Sequence, residues 1–199
     1  MDINVLEWLE KTTSEYGDKI AFSDETDSIS FAQLKQSAEA IGSALGRKGI
    51  YKTPVAVFSG RCVQTVAAFL GAVYAGCSYA PIDSKLPRAR IDSILETLAP
   101  TAVLTDRENY DFVRELGFSD DCITVTEDAA ETEIDREYLS RVRRYANEND
   151  PLYIIFTSGS TGKPKGVMTS HHSLMCYNEA ETCVMKIDVS DILGTQTPL

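Results

Sequence analysis

Basic residues are scarce in this sequence. Its 199 residues contain 19 Lys and Arg against 30 Asp and Glu, which gives a formal net charge of −11 with neutral histidines. No basic stripe is visible, so the chain lacks the electrostatic footprint of a nucleic-acid-binding protein. The hydrophobic share of 43% and the charged share of 25% are ordinary for a globular protein with a substantial core. The composition therefore predicts a folded protein without a nucleic-acid partner.

Long apolar runs and paired cysteines are also missing. No stretch approaches the roughly 18 apolar residues of a membrane span, and the start, MDINVLEWLEK, lacks the basic and apolar regions of a signal peptide. The five cysteines, Cys62, Cys77, Cys122, Cys176 and Cys183, form no C-x-x-C pair. Such a set predicts reduced thiols that serve as packing residues in a cytoplasmic protein. With two histidines, no zinc site is expected.

Helical and strand patterns alternate along residues 1–150. From Ser30, an N-capping residue type, the apolar positions Leu34, Ala38, Ile41 and Leu45 share one helical face. PVAVF, SYAPI, TAVLT and CITV have the length and composition of short buried strands, and helical patterns lie between them. This alternation predicts an α/β fold in three layers, with a mostly parallel sheet flanked by helices and right-handed crossovers.

The remainder of the chain is organised differently. Residues 126–150 turn from acidic to basic, and we expect a surface connection with a helical piece at 138–145. Residues 151–199 contain LYIIF, a glycine-rich loop, GVMTS and a helical pattern from Ser170, with Leu174, Tyr177 and Val184 on one side. We therefore divide the chain into an α/β subdomain, 1–150, and a second part, 151–199. The final DILGTQTPL looks like the start of another strand, so we expect a fragment.

The loop TSGSTGKPKG, Thr157 to Gly166, directly follows the predicted strand LYIIF. Glycine-rich turns can aim several main-chain N–H groups into one concavity, where they hold an anion. Gly159, Gly162 and Gly166 also allow a ligand to approach closely. The side-chain donors and cations of the loop are Thr157, Ser158, Ser160, Thr161, Lys163 and Lys165. Pro164 stiffens the loop between its two lysines, and the whole set suits a polyphosphate.

Other kinds of loop share part of this pattern. A flexible linker would also be rich in Gly and Ser, but it would not need the lysines. The P-loop pattern G-x-x-x-x-G-K-[ST] fails because Pro164 occupies its second glycine position, and the dinucleotide fingerprint G-x-G-x-x-G is absent. Ser160 and Lys163 match the S-x-x-K spacing of serine acylases, but the companion motifs S-D-N and K-T-G do not follow. The linker and the acylase remain open as weaker alternatives to a polyphosphate site.

FTSGSTGKPKG, Phe156 to Gly166, closely resembles the phosphate-loop signature of the adenylate-forming superfamily. That superfamily includes acyl-CoA synthetases, luciferases and the amino-acid adenylation domains of nonribosomal peptide synthetases. Two upstream stretches agree: ISFAQL resembles the segment L-T-Y-x-E-L, and AVYAGCSYAPIDSKLPRARI resembles A-G-x-A-Y-V-P-I-D-x-x-x-P-x-x-R-I. The resemblance covers essentially the whole chain but only the beginning of the family's length. It implies the N-terminal part of the large domain, without the C-terminal lid.

The resemblance implies roles for individual residues. Lys165 would contact phosphate and act in catalysis with Thr157, and Thr157 and Thr161 would bind phosphate or Mg²⁺. The residues that would hold the β- and γ-phosphates of ATP are Thr157, Ser158, Gly159, Ser160, Thr161, Gly162, Lys163, Lys165 and Gly166. His171 matches a family histidine that is either a structural or substrate-side contact or a polar residue satisfied at a helix N-terminus.

Residues outside the loop receive structural roles from the same comparison. Asp83 and Arg90 would hold the turn into the following helix, and His172 would be exposed. The expected chemistry is attack of a carboxylate on the α-phosphate of ATP, which gives an acyl-adenylate and pyrophosphate, followed by transfer to a thiol. The family's adenine-binding, magnesium-binding and catalytic C-terminal segments would lie beyond Leu199, so we expect no adenylation by the chain alone.

The branch of the family is suggested by two stretches. PIDSKLP and LYIIFTSGSTGKPKGVM resemble the amino-acid-activating enzymes, including the D-alanine–carrier-protein ligases. The implied substrates are ATP and an amino acid, and the implied partner is a carrier protein that bears phosphopantetheine. A fragment of an acyl- or aryl-CoA synthetase and a non-catalytic nucleotide-binding module remain the alternatives.

Overall fold

The computed structural model describes residues 3–60, 62–158 and 163–194. Its helices are α1 Val5–Tyr16, α2 Phe31–Arg47, α3 Val63–Tyr74, α4 Arg88–Leu98, α5 Tyr110–Glu115, α6 Thr126–Ala130, α7 Arg136–Arg144 and α8 His171–Met185. Its strands are β1 Ile20–Ser23, β2 Ser28–Ser30, β3 Pro54–Phe58, β4 Ser78–Pro81, β5 Ala102–Thr105, β6 Ile123–Val125, β7 Pro151–Ser158 and β8 Pro164–Ser170. Strands and helices therefore alternate along most of the described chain, as the sequence predicts.

The main sheet has six strands in the order β6-β5-β3-β4-β7-β8, and β1 and β2 form a separate antiparallel pair. The pairs β3–β4, β3–β5, β4–β7 and β5–β6 are parallel. The last pair, β7–β8, is antiparallel. Helix α3 connects β3 to β4, whereas α4 connects β4 to β5 on the other side of β3. The strand order thus reverses around β3 and β4, and the mostly parallel α/β prediction is confirmed.

Alternate residues of the central strand β3 belong to two separate apolar clusters. Val55 and Val57 pack in the cluster that contains α1, α2 and α3, whereas Ala56 and Phe58 pack in the cluster that contains α4 and α5. This period of two is the geometry of a strand with both faces covered. The result is the three-layer arrangement that the sequence predicts, with β3 at its centre.

Helices α2 and α3 pack closely because each of them has a glycine on the surface that faces the other helix. A Cβ atom at Gly42 would lie 2.6 Å from Tyr74 Cβ, and one at Gly71 would lie 2.4 Å from Ile41 Cγ2. Helix α3 has no exposed residue among those described, which agrees with its nearly uncharged sequence. Ser30 caps α2 through a capping box with Gln33, as its position before the apolar pattern predicts.

Four expectations from the sequence need correction. The acidic stretch after β6 is more than a surface connection, because α6 buries Thr126 and Ala129. The predicted loop is shorter, since its ends belong to β7 and β8. Residues 191–194 form no strand, and 195–199 lie outside the described residues. Not all cysteines are packing residues, because Cys176 and Cys183 are exposed on α8.

Among residues 3–60, 62–158 and 163–194, no helix combines the length and the apolar composition needed to cross a bilayer.

Candidate functional site

The glycine-rich loop closes the β7–β8 hairpin. Cross-strand partners run from Tyr153 and Thr169 to Ser158 and Pro164, so the two strands hold both ends of the connection. Residues Gly159, Ser160, Thr161 and Gly162, four of the predicted site residues, lie outside the described part of the chain. The loop leaves the carboxyl end of β7, next to the carboxyl ends of the parallel strands β4 and β3. Ligands of α/β sheets bind at this edge.

Two predicted site residues meet across the hairpin. Thr157 and Lys165 are directly paired in the register, so their side chains lie on the same face of the sheet. Both residues are exposed. The arrangement places one hydroxyl group and one ammonium group beside each other at the mouth of the loop. A hydroxyl donor and a cation in this position fit the oxygen atoms of a phosphate group.

The two lysines of the motif form no ion pair with the residues that the structure describes. In the described ranges, no carboxylate lies within 4.0 Å of the ammonium group of Lys163 or Lys165. Lys163 is exposed at the end of the connection that the structure describes. Both charges are therefore available to an anion without the loss of an internal partner.

Gly166 is required by packing inside the hairpin. A Cβ atom at this position would lie 2.9 Å from Ile154 Cγ2 and 3.2 Å from Phe156 Cζ. Phe156 is its direct cross-strand partner, and the aromatic ring lies against one side of the glycine. The glycine at the end of the motif therefore keeps β8 close to β7 and fixes the position of the neighbouring Lys165.

A cavity of about 200 Å³ lies at the carboxyl ends of β3 and β4. The chain leaves these strands toward opposite faces of the sheet, which creates a crevice at the switch in strand order. Polar lining is provided by Ser59, Thr65, Ser84 and Lys85, and Ser59 and Thr65 share a hydrogen bond of 2.9 Å between their hydroxyl oxygens. None of these four residues is predicted from the sequence, although SKLP after a buried strand is a signal for Ser84 and Lys85.

The turn after β4 confirms one structural role. The Asp83 carboxylate accepts a hydrogen bond of 2.8 Å from the main-chain N–H of Lys85, and the Asp83 carbonyl accepts one of 3.1 Å from Leu86. Asp83 thus holds the turn that leads to α4, as the sequence predicts.

His171 lies at the opposite end of the hairpin from the loop. It follows β8, six residues after Lys165, and a strand rises about 3.3 Å per residue, so roughly 20 Å separates the two positions. Its side chain is 6% exposed, and Nδ1 accepts a hydrogen bond of 3.4 Å from the main-chain N–H of Val5. Burial, and then the nearby Arg143, lower the pKa of His171 from 6.5 to about 4. His171 is therefore a buried neutral residue that joins α8 to α1, and His172 beside it is exposed.

The comparison with protein families gives one match that covers nearly the whole chain. Residues 9–199 match the family described as AMP-binding enzyme. The chain belongs to this AMP-binding enzyme family.

Relatives include enzymes of peptide synthesis and of carrier-protein loading. Tyrocidine synthase 1 of Brevibacillus parabrevis is 30% identical over 83% of this chain and 15% of its own length. Surfactin synthase subunit 3 of Bacillus subtilis is 31% identical over 84% of this chain and 13% of its own length. A D-alanine–D-alanyl carrier protein ligase of Lacticaseibacillus casei is 28% identical over 87% of this chain and 33% of its own length. The chain thus spans a third or less of these relatives.

Solved structures share the fold. The nonribosomal peptide synthetase FmoA3 matches 96% of this chain and 20% of its own with a TM-score of 0.81 and 23% identity. VinN matches 96% of this chain and 52% of its own with a TM-score of 0.78 and 20% identity. The sheet and its flanking helices therefore have the same fold as these two proteins.

Proposed function

We propose that this chain is the ATP-phosphate-binding part of a ligase that activates an amino acid as an acyl-adenylate. Pyrophosphate is released, and the acyl group passes to the phosphopantetheine thiol of a carrier protein. The proposal is supported chiefly by the paired, exposed side chains of Thr157 and Lys165 at a loop with the family signature. Family membership and the peptide-synthetase and D-alanyl carrier protein ligase relatives support the substrate class.

The loop would bind and neutralise the phosphates and would not act as a nucleophile. Attack of a carboxylate on the α-phosphate places additional negative charge beside the polyphosphate. The Lys165 ammonium group, the Thr157 hydroxyl group and the main-chain N–H groups of 158–162 would stabilise that charge, because fixed donors need no reorganisation during the reaction. Lys163 and Gly166 would complete the set, the first by its charge and the second by the close strand packing described above.

Magnesium would bind through the hydroxyl groups of Thr157 and Thr161 and the phosphate oxygens. The exposed position of Thr157 at the end of β7 is compatible with this role. Bound Mg²⁺ supplies charge neutralisation at the phosphates.

The division at residue 150 remains our proposal. Residues 1–150 would form an α/β subdomain, and 151–199 would form the phosphate-binding hairpin and the helix that follows it. The cytoplasm is the proposed location, since all five cysteines are free thiols. Because the chain covers a third or less of its relatives, we also propose that residues 1–199 alone do not form adenylates.

Calorimetry with pyrophosphate tests the binding role directly. Lys165→Ala is expected to weaken pyrophosphate binding about tenfold, the usual effect of losing a charge-assisted hydrogen bond. Lys11→Ala, which removes an exposed charge on α1, is the matched control and should bind as the unchanged chain does. Equal affinity of the Lys165 and Lys11 variants would contradict the proposed phosphate site.

Pyrophosphate exchange into ATP tests the catalytic part. The chain of 199 residues is expected to show no exchange above that of its Lys165→Ala variant. In a longer protein that contains this chain, a panel of amino acids should stimulate exchange, and Lys165→Ala should lower the rate on the order of 100-fold. Stimulation by fatty or aryl acids together with coenzyme A would favour a CoA synthetase instead, and ATP binding without exchange would favour a non-catalytic module.

A further inference from the structure

A second cavity, of about 340 Å³, lies at the amino ends of β3, β4 and β7. It is at the opposite edge of the sheet from the glycine-rich loop. Residues of α1, α2, α3 and α7 form its walls, and the first residue of α8, His171, also lines it. The proposed function uses none of these residues. A well-formed cavity with several polar groups and a residue of perturbed pKa is a candidate binding site.

Charges of both signs line this cavity in nearly equal number. The cationic residues are Lys52, Arg136 and Arg143, and the anionic residues are Glu7, Glu10, Glu39 and Asp150. A simple anion would meet an excess of carboxylates, and a simple cation would meet three positive side chains. A molecule that carries one charge of each sign matches this lining better than either.

Most ion pairs across the cavity are longer than hydrogen bonds. Nitrogen and oxygen atoms are 3.6 Å apart in the pair Lys52–Asp150, 3.8 Å in Arg136–Glu39 and 3.6 Å in Arg143–Glu7. An N–H···O hydrogen bond needs about 2.7 to 3.2 Å. Arg143 makes a short contact of 2.7 Å with Glu10. The Glu7 carboxylate and the Lys52 ammonium group therefore retain capacity to bind a ligand.

His171 adds a hydrogen-bond donor to this lining. Because Nδ1 accepts the hydrogen bond from Val5, the proton of the neutral imidazole is on Nε2. Within the described residues, no partner accepts this N–H group. The exposed fraction of His171 is 6%. A ligand oxygen atom in the cavity would be an acceptor for this N–H group.

We propose that this cavity binds a small zwitterion of the α-amino-acid class. The carboxylate of the ligand accepts hydrogen bonds from His171 Nε2–H and Arg143, and its ammonium group lies beside Glu7. The site is separate from the phosphate loop, so its occupancy does not require ATP. It gives the chain a way to sense an amino acid at the edge of the sheet remote from the proposed chemistry.

Imidazole NMR provides a direct readout with an internal control. The chain contains two histidines, His171 in the cavity and the exposed His172. We would label the imidazole nitrogens, add L-norvaline at millimolar concentration at pH 7, and follow both rings. The proposal predicts that the His171 signals shift while the His172 signals stay. No shift, or equal shifts of both rings, would overturn it.

Two analogues separate the zwitterion from a simple ion. Pentanoate is norvaline without its ammonium group, and butylamine is norvaline without its carboxylate. Both are expected to bind at least tenfold more weakly than norvaline, since each leaves one set of charged hydrogen bonds unformed. If either analogue shifts His171 as strongly as norvaline does, the cavity is a simple anion or cation site and the proposal is wrong.

A pair of variants on α1 tests the ammonium contact. Glu7→Gln is expected to weaken norvaline binding about tenfold, whereas Glu15→Gln, which changes an exposed residue on the same helix, should leave it unchanged. Unchanged binding in a folded Glu7→Gln chain would contradict the assigned orientation. Neither substitution touches the phosphate loop, so pyrophosphate binding by both variants reports the proposed function independently.

Discussion

His171 couples the stability of this protein to pH. Its pKa is lowered from 6.5 to about 4 by burial and by Arg143. Between these values the unfolded chain binds a proton at this residue and the folded chain does not. Stability from this group is therefore fully present above pH 6.5 and is lost as pH falls toward 4. Since one pKa unit corresponds to about 1.4 kcal/mol, the linked free energy of unfolding is on the order of 3 kcal/mol.

Urea unfolding at pH 7 and pH 5 measures this linkage. The unchanged chain is expected to lose roughly 2 kcal/mol of unfolding free energy over this interval through His171. His171→Gln should flatten the pH dependence by that amount, whatever its stability at pH 7. His172→Gln, at the exposed neighbouring residue, should keep the full dependence. Identical pH profiles for the two variants would show that folding does not lower the pKa of His171.

The position of individual site residues could be predicted only in part. The motif predicts which side chains bind phosphate, because their chemistry is local. It does not predict that Thr157 and Lys165 are cross-strand partners, since register depends on the pairing of β7 with β8. His171 was left between a substrate-side and a structural role for the same reason. The length of the hairpin places it roughly 20 Å from Lys165, where it accepts a hydrogen bond from α1.

At the scale of the elements, α2 and α3 pack closely through Gly42 and Gly71. Gly71→Ala would place a methyl group 2.4 Å from Ile41 Cγ2, which is far inside van der Waals contact. We expect a loss of about 1 to 3 kcal/mol in unfolding free energy from overpacking, even though alanine is the better helix former by about 1 kcal/mol. Thermal or urea unfolding measures the change.

Gly194→Ala is the control for this substitution. Among the described residues, no atom lies within 4 Å of a Cβ atom built at Gly194, so the stability of this variant should be that of the unchanged chain. A Gly71→Ala variant as stable as the Gly194→Ala variant would mean that the two helices separate at little cost.

Elements with a strong local signal were predicted well, and elements defined by distant contacts were not. The cap at Ser30 and the apolar face that begins at Leu34 are encoded within a few residues, and both were found. Helix α6 was missed because its sequence, TEDAA, is short and acidic. Thr126 and Ala129 of this helix are buried, and Ala129 belongs to the apolar cluster that contains residues of α2 and α3. Only the tertiary fold supplies that contact.

At the scale of the whole molecule, the five thiols should differ in their reactivity. Cys77 is buried, and burial raises its pKa to about 11, whereas Cys176 and Cys183 are exposed on α8. A native titration with an aromatic disulfide should therefore label Cys176 and Cys183 first and Cys77 only on unfolding, because the thiolate is the reactive form. Mass spectrometry of the labelled peptides identifies the sites. Early labelling of Cys77 would contradict the burial of β4 and its neighbours.

The fold class followed from the sequence because alternating strand and helix patterns leave few ways to bury both faces of a sheet. The antiparallel β8 was not predicted, since a hairpin and a crossover can begin with the same strand pattern. The apolar residues Val167 and Met168 of β8 suggest a buried strand, but both are exposed in the described chain.

The pairing of β7 with β4, which connects the hairpin to the rest of the sheet, affects the rate of amide hydrogen exchange. One register pair, Tyr79 with Tyr153, joins β4 to β7, whereas β3 has four such pairs with each of its neighbours. We therefore expect the amide protons of β7 and β8 to exchange with deuterium as one group, ahead of those of β3. Pyrophosphate should slow that exchange. Protection of the hairpin equal to that of β3 would show that opening of the hairpin requires global unfolding.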